Sequence, residues 1–258
     1  MNAAIIQLTA RQLLGQKRSL LMLAGALIPV LIAIVYRLSE ATGNTIYIRE
    51  TNQLISAQPR WVAQVLLSQL IVGTLLPLTA QIFGTAAIGS EIEDGTAVYL
   101  LSKPIPRWQI FASKLFVAWA ATTGLVLSAT IVSTAIALDQ PFEYRILLGF
   151  SLAVAAASLL YSALFILLSI LTSRALIVAL LYVFIWEAVL TRLFRGLRFL
   201  SVRQYSLGVA DSVIHAPRQV FEADLNGTVA IVLVLVASAL LFMYGVRRLA
   251  AWEIGEST

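Results

Sequence analysis

The chain has 258 residues, of which 60% are apolar and 12% are charged, and its mean hydropathy is +0.89. Soluble domains carry about 25% charged residues, so this chain lacks the charge to cover a water-facing surface and is predicted to be an integral membrane protein. We assign its formal charge of +5 to basic residues that flank membrane segments, and we expect no nucleic-acid partner.

Scarce residue types exclude several chemistries. The chain has no Cys and one His, His215, so it can form neither a disulfide nor a thiolate or multi-histidine metal site, and we expect no bound metal. An intramembrane protease or acyltransferase would need a nucleophile with a base, or a metal cluster, inside the membrane. Without Cys, and with His215 as its single His, the chain lacks the residues for such an active site.

The amino-terminal segment is mixed and polar, which does not match a cleavable signal peptide, and we expect nothing to be removed. Residues 3–18 place Ile5, Leu8 and Leu13 among polar and basic side chains. This weakly amphipathic pattern predicts a helix on the membrane surface, with a frayed tail as the alternative.

Six long apolar runs follow, and only one of them contains a charged residue. A helix of about 20 residues crosses the hydrocarbon, whereas a barrel strand has about ten, so we predict an all-α membrane protein with six transmembrane helices in one domain over residues 1–258. Pro77 and Gly84 are candidate kink points in the second run. The predicted spans are 19–36, 61–89, 115–138, 146–172, 175–192 and 226–246.

The distribution of basic residues bears on the orientation in the membrane. Six spans put both termini on one side, and each side has nine Lys and Arg residues, but all three Lys lie on the side of the termini. This favours cytoplasmic termini. In the connection between spans five and six, Leu193, Leu197 and Leu200 form one apolar stripe among arginines, which predicts an interfacial helix whose arginines contact lipid headgroups.

Polar residues inside the spans are candidates for function. Glu187 is the only acidic residue within a predicted span, and it could serve the transport pathway or pair with a neighbouring helix end. Span two is richer in polar residues than contact with lipid favours. Its Gln69, Thr74 and Gln81 could line a central cavity or a dimer seam, or they could bond to helices of the same subunit.

The connection between spans two and three carries the clearest pattern. Ser90 and Glu93 have the spacing of a capping box, so we predict that a short helix begins there, with Glu91 and Asp94 exposed to water. Pro104 and Pro106 would end that helix, and Pro106 would start the next one, which runs into span three. Composition alone is also compatible with an ordinary solvated loop.

A resemblance favours the first interpretation. The segment has Gly89, an acidic group, Gly95-Thr96, Leu100-Leu101, Lys103-Pro104-Ile105, Arg107 and Lys114. This resembles the signature of the membrane subunits of ATP-binding-cassette (ABC) transporters of the six-helix, type-two permease family, although Pro106 stands where the family often has a small polar residue. The resemblance implies that the short helix is a coupling helix docked on an ATPase subunit. The implied contact residues are Glu91, Glu93, Asp94, Gly95, Thr96 and Tyr99.

The resemblance also implies a function. The chain would be the permease subunit of an ATP-driven exporter in the plasma membrane, and two copies would form the pathway with two ATPase chains. The sequence lacks a Gly-x-x-x-x-Gly-Lys-Ser/Thr loop, so we expect no enzyme activity and no cofactor here, with ATP and Mg on the partner. The alternative is a secondary transporter or channel without an ATPase. A single membrane acid and no repeat of three spans argue against it.

Overall fold

The computed structural model describes residues 3–14, 17–42, 47–50, 53–56, 58–96, 99, 105–138, 144–214 and 220–251. Its elements are α1 (Ala3–Leu14), α2 (Lys17–Ala41), β1 (Tyr47–Glu50), β2 (Gln53–Ser56), α3 (Gln58–Trp61), the π-helix π1 (Val62–Leu75), α4 (Leu76–Glu93), α5 (Arg107–Ala137), α6 (Tyr144–Leu171), α7 (Ala175–Leu181), the π-helix π2 (Tyr182–Leu190), α8 (Thr191–Leu193), a 3-10 helix (Arg195–Leu200), α9 (Val202–Ile214) and α10 (Gly227–Ala250).

Among the residues that the structure describes, five helices are long and apolar enough to cross a membrane, and they overlap the predicted spans one to four and six. The range predicted for span five contains a shorter apolar helix, Ala175–Leu190. The predicted all-α architecture is confirmed, and one small element is added to it: β1 and β2 form a two-stranded antiparallel sheet with Tyr47 opposite Ser56 and Glu50 opposite Gln53. Aromatic and β-branched residues such as Tyr47 and Ile55 favour strands, and a local antiparallel pairing needs only a short connection.

Helix α6 lies at the centre of the molecule, where it packs against α4, α5, α9 and α10. It buries large side chains such as Phe150, Tyr161 and Phe165. By contrast, α2 and α10 expose many Leu, Ile and Val side chains, which is the composition of helix faces in contact with lipid. Helix α6 is therefore the helix on which α4, α5, α9 and α10 all pack, and α2 and α10 carry the most exposed apolar faces.

The second long helix, which we call the α3–α4 helix, is continuous from α3 through π1 into α4. The change from π to α geometry comes directly before Pro77, in the first turn of α4. Proline has no N–H, and its ring collides with a carbonyl one turn earlier, so a wider turn before it relieves that conflict. Gly84, the other candidate kink point, is a contact position instead, since a Cβ there would lie 2.9 Å from the Cβ of Phe165 on α6.

We name the two ends of the molecule by their contents. The near side holds α1, the end of α4 and the end of α10, and the far side holds the β-sheet and α9. On the near side, α1 packs against α5 and α4 with Ile5 and Leu13 buried, so the predicted amino-terminal helix is confirmed. Ile5 joins Phe111 and Leu249 in one apolar cluster, the near-side core.

The far side differs from the prediction. The apolar stripe of Leu193, Leu197 and Leu200 does not form one interfacial α-helix, because Phe194 is extended (φ −114°, ψ 107°) and a short 3-10 helix follows it. The main helix of this connection is α9, which packs on α6 and α10. Gly208 of α9 permits that close packing, since a Cβ there would lie 2.5 Å from the Cβ of Ala230.

Candidate functional site

The α4 helix ends differently from the expectation. The predicted helix start at Ser90 is wrong, because Ser90 lies in the last turns of α4 and its hydroxyl donates to the Ala86 carbonyl at 2.7 Å. The apolar run before it simply continues the helix to Glu93. Gly95 then ends it with φ +67°, and its N–H donates to the Ile92 carbonyl at 3.2 Å. A glycine in the left-handed region is a common helix ending.

A buried ion pair joins the end of α4 to α5. The Lys114 ammonium lies 2.8 Å from the Glu91 carboxylate, and both side chains are almost fully buried, at 1% and 7% exposure. Lys114 also donates to the Ala87 carbonyl at 2.6 Å. The pair therefore ties together the two helices on either side of residues 94–106, and it neutralises negative charge at the carboxyl end of α4.

The predicted contact residues thus divide into two groups. The expectation that Glu91 is exposed to water is wrong, because Lys114 holds it inside. Asp94, Gly95 and Thr96 form an exposed turn, which we call the acidic turn together with Glu93. Tyr99 is 74% exposed. Most of the predicted coupling helix, including Leu100-Leu101 and Lys103-Pro104, lies outside the described residues, whereas α5 begins at Arg107 directly after Pro106, as predicted.

A small cleft of about 160 Å³ opens beside the near-side end of α4. It lies between this helix and the turn that joins α6 to α7, and hydroxyl side chains from Thr85, Ser90, Ser169, Thr172 and Ser173 line it. The cleft leaves a partly open, mostly apolar surface with these hydroxyl groups in it, next to the acidic turn.

The polar residues of the α3–α4 helix occupy two environments. Gln81 is buried and its amide donates to the Leu176 carbonyl of α7 at 3.0 Å, which is a contact between helices. Gln69 and Thr74 lie on an exposed face of π1, and the Thr74 hydroxyl donates to the Gln69 carbonyl at 3.2 Å. Gln81 therefore joins two helices of one subunit, whereas Gln69 and Thr74 face away from the helices around them.

Glu187 lies in π2 and is buried, with 4% exposure. Its carboxylate accepts bonds from the Tyr182 hydroxyl at 3.0 Å, the Ser201 hydroxyl at 2.5 Å and the Val202 N–H at 2.9 Å. A carboxylate at a helix amino terminus is favoured by the free N–H groups there. Glu187 therefore holds the start of α9 against the α7–α8 segment. Tyr205 of α9 lies close by, and burial, followed by the negative charge of Glu187, raises the pKa of its phenol.

Sequence reasoning missed the position of Arg203. The sequence predicts contact with lipid headgroups for the arginines between spans five and six, and Arg203 is one of them, but it follows the start of α9 and its guanidinium lies against π1. One of its N–H groups donates to the Ser68 carbonyl at 3.4 Å, and a Cβ at Gly73 would lie 3.1 Å from its Nε. No periodicity marks this contact, which depends on how α9 folds back. In contrast, Arg198 remains near the surface and pairs with Asp224 at 2.7 Å.

These features define a class of protein: a multi-pass helical membrane protein with an exposed acidic turn fixed to two neighbouring helices. A family model described as ABC-2 family transporter protein matches residues 4–243, and the chain belongs to that family. The resemblance seen in the sequence is thereby confirmed. The chain is a transport membrane subunit of the ABC permease type, and the family implies an ABC ATPase as its partner. A search of curated proteins finds no match.

Proposed function

We propose that this chain is the permease subunit of an ATP-driven exporter, with six spans, both termini in the cytoplasm, and the near side facing the ATPase. Two copies form the translocation pathway and two ATPase chains drive it. The observation that carries this proposal is the ABC-2 family match over residues 4–243, together with the acidic turn that the Glu91–Lys114 pair fixes at its base.

The charge at the end of α4 supports docking at this point. Glu91, Glu93 and Asp94 all fall at the carboxyl end of a helix, where the partial negative charge of the backbone disfavours them. Lys114 offsets the charge of Glu91. Acidic residues at this end destabilise the helix, and such locally unfavourable residues are expected at functional sites. A basic groove on a partner protein would compensate their negative charge.

Reversal of one exposed charge tests the docking. Asp94→Lys is the clean variant, because Glu91→Lys would also place two cations in the buried pair. We expect Asp94→Lys to reduce recovery of an ABC ATPase with the tagged permease from native membranes in mild detergent, while the permease itself stays folded. Glu222→Lys, an exposed reversal on the far side, is the matched control and should leave recovery unchanged. Equal recovery of the ATPase with the wild type, Asp94→Lys and Glu222→Lys would show that the acidic turn is not part of the interface.

Topology can be tested independently. The chain has no native Cys, so Asp94→Cys gives a single labelling site in the acidic turn. A membrane-impermeant maleimide should label it in inverted vesicles but not in intact cells. Labelling from outside intact cells would show that the orientation is opposite to the one proposed.

The energy source can be tested with the purified chain. We expect no ATP hydrolysis by the permease alone, because it lacks a phosphate-binding loop, and substrate-stimulated hydrolysis once the ATPase is added. The stoichiometry of the complex, measured by native mass spectrometry, should be two permeases to two ATPases. A complex with one permease would contradict the dimer.

A further inference from the structure

An exposed polar face runs along π1 just before the midpoint of the Gln58–Ile92 helix. Gly73 and Thr74 follow Gln69 by four and five residues. This is about one turn of a helix with i to i+5 hydrogen bonds, so all three residues lie on the same side of π1. Both Gln69 and Thr74 are exposed. Side chains of this kind are unfavourable against lipid hydrocarbon, so this face is expected to border water, a ligand or protein.

Arg203 brings a positive charge to this face. Its Nε lies 3.1 Å from the position that a Gly73 Cβ would occupy, and it donates to the Ser68 carbonyl of the same helix. The side chain is half-buried. The position of α9 is in turn fixed by Glu187, which accepts the N–H of Val202, the residue before Arg203. Arg203 is therefore a cation positioned against Ser68 and Gly73 of π1.

We propose that the π1 face formed by Gln69, Gly73 and Thr74, together with Arg203, binds a negatively charged group of the transported substrate, a carboxylate or a phosphate. The guanidinium fork matches the geometry of both anions, and the exposed Gln69 amide of the same helix supplies further donors. The absence of a side chain at Gly73 leaves room for the guanidinium to lie against the helix. This inference rests on the proposed transport function and names the substrate class of the pathway.

Charged thiol reagents test the site without knowledge of the substrate. In the Thr74→Cys variant, we compare the anionic reagent 2-sulfonatoethyl methanethiosulfonate with the cationic reagent 2-(trimethylammonium)ethyl methanethiosulfonate, each relative to its rate with a free thiol. The nearby guanidinium should favour the anionic reagent about tenfold. Adding Arg203→Gln should remove most of this preference, and Arg203→Lys should keep it. Arg198→Gln is the matched control and should leave the preference unchanged.

A protection experiment needs no change at Arg203, so it holds even if Arg203→Gln fails to fold. Octyl phosphate should slow labelling of the T74C variant by the neutral reagent methyl methanethiosulfonate, whereas octyltrimethylammonium should not. Leu235→Cys, on an exposed apolar face of α10, is the control for reagent that acts from the lipid and should show neither protection nor charge preference.

Two results would overturn the inference. If the T74C variant resists every reagent, lipid or a second copy of the chain covers the face. If it reacts equally with both charged reagents and octyl phosphate gives no protection, the face is wet but not selective for anions. Neither result concerns the ATPase, so recovery of the ATPase with the same variants separates failure of this site from failure of the proposed function.

Discussion

The buried pair between Glu91 and Lys114 should behave as a single unit. Replacing Lys114 with Met removes the cation and leaves the Glu91 carboxylate in a space where it has little contact with water. It also removes the donor to the Ala87 carbonyl. We therefore expect Lys114→Met to destabilise the near side strongly. Glu91→Gln should have the same effect, because it leaves the Lys114 ammonium buried without its carboxylate.

The magnitude follows from the distance. At 2.8 Å, and with an effective dielectric constant of about 20, the direct attraction is about 6 kcal/mol before the cost of burying both charges. Loss of one partner of a buried pair costs about 3–5 kcal/mol, whereas neutral replacement of both partners is often tolerated. The double variant Glu91→Gln with Lys114→Met should therefore be more stable than either single variant, with a coupling energy above about 1 kcal/mol.

The first assay is the melting temperature of the permease in detergent, measured by size-exclusion chromatography of a fluorescent fusion after heating. The second assay is the ATPase rate of the reconstituted complex. We expect both single variants to melt lower, and the double variant to recover most of the loss in stability. Additive effects in the double variant would refute the interpretation as a coupled pair. Single variants that melt like the wild type would show that water reaches the pair.

Three further predictions concern single positions. Gly95→Ala forces an L residue to φ +67° and should cost about 1–2 kcal/mol and weaken ATPase recovery, whereas Gly124→Ala, a helical glycine with equally open space, should not. Gly245→Ala places a Cβ 2.4 Å from the Phe111 ring and should lower the melting temperature by an amount equivalent to about 1–3 kcal/mol, which Phe111→Leu should partly restore. Glu187→Gln removes a charge that accepts three hydrogen bonds and should speed hydrogen exchange at the start of α9; unchanged exchange would contradict its anchoring role.

The transmembrane helices could be predicted because their signal is local. Long runs without charge have few alternatives to a membrane helix, so five spans appear where they were expected. The same reasoning misplaced the end of α4. Ser90 and Glu93 fit a capping box by spacing alone, but a helix that arrives from the membrane with good helix-forming residues continues through a serine unless a glycine or proline stops it, and here the stop is Gly95.

The candidate site was less predictable because it depends on contacts between distant segments. Glu91 could be recognised as acidic, but its burial follows from Lys114 on the next helix. In the same way, α9 is too polar to stand out as a buried helix, and its position is set by Glu187 and by the glycines that let it approach α6 and α10. The position of Arg203 follows from that of α9. Pattern reasoning along one segment carries no signal for such pairings.

The π geometry of the second long helix also sets its length. As a regular α-helix, the 35 residues from Gln58 to Ile92 would extend about 52 Å, far beyond the roughly 30 Å of bilayer hydrocarbon. Wider turns hold more residues in the same axial distance, so π1 shortens the helix and reduces its mismatch with the membrane. The acidic turn is attached to the end of this helix. Its height above the membrane surface therefore depends on how many turns of π1 are wide, and a change of even one turn from π to α would shift the acidic turn along the membrane normal.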